Sequence, residues 1–182
     1  MADEFTGNYE DNPNLVAPAE LVSEETLGRL RSAPPEVVER LEESSLNSDD
    51  PPSYPALEVI RTRAELDCAP ECGPPPEAFE VELDAMTWGY RFGVDLLGGA
   101  TGGCSLTADE IRSRADALDL YALAALPNEQ SLGALRHWHR LLTEVLFRRH
   151  PVENPYAMEE ACYWAWTFGL GVAVVEADGR PT

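Results

Sequence analysis

Cysteine, histidine and carboxylate side chains are the groups in this chain of 182 residues that could attack, move a proton or hold a metal. Cys68 and Cys72 stand at a spacing used by structural zinc sites, and His137 and His139 are the nearest complement. Two residues apart on a helix, however, the histidines lie about 200° around the axis and cannot readily share one ion. His139 then reads as a partly buried structural histidine. Cys104 closes the glycine run GGATGG with no base beside it; the run lacks the lysine of a phosphate-binding loop, and no G-x-S-x-G elbow occurs. Pairs such as Glu159 and Glu160 belong on a wet face in a chain with 33 acidic residues. No catalytic residue, cofactor or metal ligand is therefore assigned, and the expectation is a protein that is not an enzyme.

Binding chemistry is better represented. Pro51-Pro52-Ser53-Tyr54 is a complete PPxY sequence, the type of ligand that WW domains take. Prolines preset a polyproline II helix at low entropic cost, and an aromatic groove accepts the prolines and the tyrosine ring. The competing reading is a chance turn in a Pro-rich stretch. Over these four residues the chain resembles the PPxY-containing adaptors that recruit HECT-type ubiquitin ligases. Leu66-Asp67-Cys68-Ala69-Pro70-Glu71 resembles the Leu-x-Cys-x-Glu element with which transforming proteins of DNA tumour viruses engage the retinoblastoma pocket, with one residue inserted before the glutamate. Among the aromatics Tyr156, Tyr163, Trp164, Trp166 and Phe168, part is core, and Trp164 and Trp166 are the candidates for an interface, where tryptophan is enriched. The partner-binding set is Pro51, Pro52, Tyr54, Leu66, Cys68, Trp164 and Trp166.

Charge narrows the partners. The formal net charge is −20, which disfavours nucleic acid and anionic membrane, and admits a basic protein. All 13 basic residues are arginine. Three causes compete for the missing lysines: a GC-rich genome, adaptation to high salt, and selection against ubiquitin-type modification. Glutamate outnumbers aspartate about two to one, which counts against salt adaptation. The first eleven residues, MADEFTGNYED, are acidic where a secretory signal would be basic and then apolar, and no run is long enough to span a bilayer. The expected location is the cytoplasm, or the host cytosol or nucleus for a viral or phage-borne protein.

The elements that must position these groups read as follows. Residues 1–46 form an acidic arm with two short helices: one after the cap Ser23, one from Pro35. Residues 47–77 read as a Pro-rich linker in which ALEVIRTRAEL, with Leu57, Val59 and Ile60, is expected as a strand or a short helix, residues 78–177 as an α+β domain, and 178–182 as a tail. Within the domain, Phe79, Val81 and Leu83 alternate with acidic residues, and Met86, Trp88, Tyr90, Phe92, Val94 and Leu96 share one parity, so both stretches predict strands. Thr107-Ala108-Asp109-Glu110 is a capping box opening a helix to Leu126. The spacing of Leu132, Leu135, Trp138, Leu142, Val145 and Leu146 predicts a long central helix over Ser131–His150. A third helix starts at Pro155, and LGVAVVEA predicts a buried terminal strand. The fold expected is thus a small α+β domain of two or three strands and three helices behind a partly disordered acidic region. The function expected is non-catalytic protein binding, as an adaptor or accessory protein of a WW-domain protein or a basic protein. The alternatives are an acidic inhibitor of a basic enzyme, of the immunity-protein or antitoxin type, and an enzyme with a site outside these patterns.

Overall fold

The structure is a computed structural model that describes residues 14–68, 77–98, 104–128 and 138–180. Its helices are α1 (Pro18–Leu21), α2 (Glu24–Arg31), α3 (Pro35–Leu46), α4 (Tyr54–Asp67), α5 (Glu77–Leu96), α6 (Ala108–Ala117) and α7 (Leu120–Asn128). Helical residues 138–141 run into a π-helical turn, Leu142–Leu146, and a last turn, Phe147–Arg149, together α8; the chain closes with α9 (Pro155–Asp178).

No strand occurs among the described residues, so the α+β expectation is overturned. Both segments read as strands within 79–96 belong to α5, and LGVAVVEA is the second half of α9. The reason is burial on more than one side. Residues two apart on a helix point in nearly opposite directions, so a parity pattern signals a strand only when one face is wet. In α5 neither direction is wet: Met86, Trp88, Tyr90, Phe92 and Val94 are all buried. Leu170, Val172, Ala173, Val174 and Val175 of α9 are buried as well, as expected of a helix that is apolar all round and lies inside the core.

α5 and α9 form the central pair. A Cβ on Gly89 would collide with the backbone carbonyl of Trp166, and one on Gly169 with that of Met86. The two backbones approach so closely only because both residues lack side chains. Around this pair the other helices pack into one hydrophobic core that includes Leu27 and Leu30 of α2, Val38 and Leu46 of α3, and Val59 and Ile60 of α4. The two N-terminal helices thus dock on the chain's own core. Within the stretch read as linker, α4 is a 14-residue core helix with Ala56, Val59, Ile60 and Ala64 buried.

Several termini follow local chemistry. The Ser23 hydroxyl accepts from the Thr26 amide to cap α2, and both arms of the Thr107–Glu110 capping box are present at α6. The helix expected to continue to Leu126 breaks at Leu118. There Val16 pairs in parallel with Leu118: its amide donates to the Ala117 carbonyl at 2.7 Å, and its carbonyl accepts from Asp119 at 2.9 Å. Asp119 then caps α7 by accepting from the Tyr121 and Ala122 amides. In the expected central helix, Trp138, Leu142 and Leu146 are buried as the stripe requires, whereas Ser131, Leu132 and Leu135 lie outside the described residues.

Candidate functional site

The PPxY stretch lies at the entrance to α4. Ser53 caps that helix: its hydroxyl accepts from the Ala56 amide, and its φ of −56° and ψ of 155° are those of a polyproline II residue. Tyr54 takes the first helical position, followed by Pro55, which has no amide hydrogen to leave unpaired there. Two long-range bonds fix the approach. Arg91 of α5 donates to the Asp50 carbonyl at 2.7 Å, and the Ser53 hydroxyl donates to Glu176 of α9 at 2.6 Å.

Glu176 is fully buried and collects three donors. Besides Ser53 these are the Tyr90 hydroxyl at 2.7 Å and the Arg180 guanidinium at 3.3 Å. Burial is the main reason that the Tyr90 phenol is pushed well above its ordinary range. Ser53 is therefore turned inward and held, while Pro51 and Tyr54 are exposed, the tyrosine by 81%.

The other sequence candidates are placed as follows. Pro52 is half-buried beside Ser53. Leu66 is 62% exposed on the last turn of α4, and Cys68 is the half-buried C-cap of that helix. The Leu-x-Cys-x-Glu reading requires an extended peptide, but here Leu66 is helical, while Glu71 and Cys72 lie outside the described residues. Trp166 as a partner-binding residue is overturned: it is wholly buried, packed against Phe92 at 5.0 Å and edge-on to Trp88 at 6.3 Å. Trp164 is half-buried and stacks at 5.7 Å on the exposed Tyr121.

His139 is exposed rather than partly buried, 3.6 Å from Glu159. The reason is its place on the outer side of α8, next to the buried Trp138 that takes the core position. His137 lies outside the described residues. Cys68, Cys104 and Cys162 are thiols rather than disulfides, and among the described residues no group of three His, Cys, Asp or Glu could hold a metal ion. No described helix is long and apolar enough to cross a membrane.

Sequence reasoning missed three buried acids. Besides Glu176, Glu42 of α3 is 1% exposed and both its carboxyl oxygens lack a hydrogen-bond partner; Glu82 of α5 is 8% exposed with one such oxygen. Burial pushes Glu42 to about 8 and Glu82 to about 7, in each case helped by a neighbouring carboxylate, Glu39 or Asp67. The available signal was helical register. Glu42 lies four residues from both Val38 and Leu46, on the apolar stripe.

The chain matches no known protein family, no curated protein and no solved structure in comparisons of sequence and fold.

Proposed function

We propose that this helical protein is a non-catalytic binding protein that offers Pro51-Pro52-Ser53-Tyr54 to the aromatic groove of a WW-type domain. The observation that carries this reading is the exposed Tyr54 ring immediately after Ser53, whose side chain is tied to the core. The absence of lysine supports an adaptor role, since such a protein presents no side-chain amine to a ligase it recruits.

The test is titration of the whole chain, and of a Leu46–Leu57 peptide, against a panel of WW domains, with Tyr54→Ala as the control. The expected result is binding lost in the variant while its helical circular dichroism is unchanged. Absence of binding by both chain and peptide would overturn the reading.

A second reading, binding to a basic protein, is favoured by the ion pairs. Arg29, Arg31, Arg63, Arg112, Arg140, Arg149 and Arg180 each pair with an acid of the same chain, so the surplus of exposed carboxylates is left for an external cation. Association through that surplus would weaken steeply with added salt, whereas a proline-and-ring contact would not.

A further inference from the structure

The change from extended to helical backbone falls inside the PPxY motif. Ser53 is its last extended residue, with φ −56° and ψ 155°, and Tyr54 is the first residue of α4. Local sterics oppose that start: Pro55 follows Tyr54, and a residue before proline is pushed out of the helical region towards extended backbone. Pro51, Pro52 and Pro55 each fix φ at about −65°. Left to itself, the segment therefore favours an extended run through the tyrosine.

Tertiary bonds hold it in the other form. The Ser53 hydroxyl accepts from the Ala56 amide at 3.3 Å and donates to Glu176 of α9 at 2.6 Å, while the Ser53 carbonyl takes the first helical bond, from the Leu57 amide at 2.9 Å. Upstream, Nε of Arg91 of α5 donates to the Asp50 carbonyl at 2.7 Å. The two prolines are thus tied at both ends, and Pro52 is half-buried between the ties. A WW groove takes the prolines and the tyrosine ring together, so the covered side of Pro52 is closed to it.

Release is local. When Ser53 leaves, Glu176 keeps the Tyr90 hydroxyl at 2.7 Å and the Arg180 guanidinium at 3.3 Å, so the buried carboxyl is not stripped of donors. The rest of α4 stays anchored by the buried Ala56, Val59, Ile60 and Ala64.

We propose that the Ser53–Glu176 bond is an autoinhibitory lock on the PPxY motif. It keeps Tyr54 in the first turn of α4 and Pro52 against the core, and a WW domain binds once residues 50–55 have swung out as an extended strand. The inference rests on the WW reading above and names its regulation. A chain whose competent form is a minor population binds more weakly than the free peptide by that fraction. A hydrogen bond to a charged group sets the fraction at about a tenth or less.

The test compares dissociation constants for one WW domain that takes the Leu46–Leu57 peptide. The wild-type chain should bind about tenfold or more weakly than the peptide. Ser53→Ala in the chain should recover most of that difference, with the same substitution in the peptide giving the motif's own share. Arg91→Ala, which frees the Asp50 carbonyl without altering the motif, should shift affinity in the same direction, and it decides the matter if Ser53→Ala loses its helical circular dichroism. A wild-type chain that binds as tightly as the peptide or more tightly, or folded variants that bind no better than wild type, would overturn the lock and leave the WW reading standing. Failure of both chain and peptide to bind any domain of the panel would overturn the WW reading, and the lock with it.

Discussion

The Ser53 hydroxyl donates a 2.6 Å hydrogen bond to the buried carboxyl of Glu176, 123 residues further along the chain. The same hydroxyl accepts from the Ala56 amide, so one oxygen both caps α4 and ties it to α9. Ser53→Ala removes both contacts. The loss of a cap costs about 1 kcal/mol, and leaving a buried acceptor short of a donor adds about 1 kcal/mol more. The expected total is about 2 kcal/mol, read from urea unfolding. Tyr54→Ala, at an exposed position next door, should stay within about 0.5 kcal/mol of wild type. Equal effects would show that the tie to Glu176 carries no weight.

The central crossing makes a second prediction with opposite signs at two glycines. Gly169 lies against the Met86 carbonyl, so Gly169→Ala forces α5 and α9 apart and should cost about 3 kcal/mol or more. Gly28, inside α2, has nothing within 4 Å of an added Cβ. Gly28→Ala should therefore stabilise by about 0.5–1 kcal/mol through helix propensity alone. Thermal unfolding of the two variants side by side distinguishes packing from propensity.

Trp166 is the third case. As a core residue against Trp88 and Phe92 it should cost about 3–5 kcal/mol on truncation to alanine. Lost binding in that variant would report unfolding, and circular dichroism at the binding temperature checks for it. Trp164→Ala, half-exposed on Tyr121, should unfold at a temperature closer to wild type.

What was legible in the sequence was whatever rests on neighbours in the chain. The Ser23 cap, Pro35 and Pro155 as helix starts, and the Thr107–Glu110 box all act within one turn. What was not legible depended on which faces are covered. Trp88 donates to the Glu42 carbonyl of α3, while Tyr90, two residues on, donates to Glu176 of α9. Two helices cover two sides of α5, and the resulting alternation imitates a strand. The same error placed Glu82 on a wet face. The site was readable as a motif, but the tie that orients it joins residues whose sequence contexts, a proline turn and an apolar run, carry no mark of each other.

Glu42 supplies the last prediction. Its folded value, about 8, lies above the ordinary 4.5 because burial and the charge of Glu39 disfavour the ionised form. The sign follows from proton counting. Below about pH 4.5 the group is protonated in both folded and unfolded chains, so its titration adds no pH-dependent cost. As the pH rises the unfolded chain ionises first, so stability is lost progressively until the folded group also titrates near 8. Glu42→Leu removes the titrating group and suits the apolar surroundings. It also preserves the 2.9 Å bond from the Trp88 indole, which goes to the backbone carbonyl of residue 42. The variant's advantage over wild type should be larger at pH 8 than at pH 5, by about 3 kcal/mol. Urea midpoints at the two pH values decide it, and parallel declines in both proteins would mean that Glu42 is not the group that titrates.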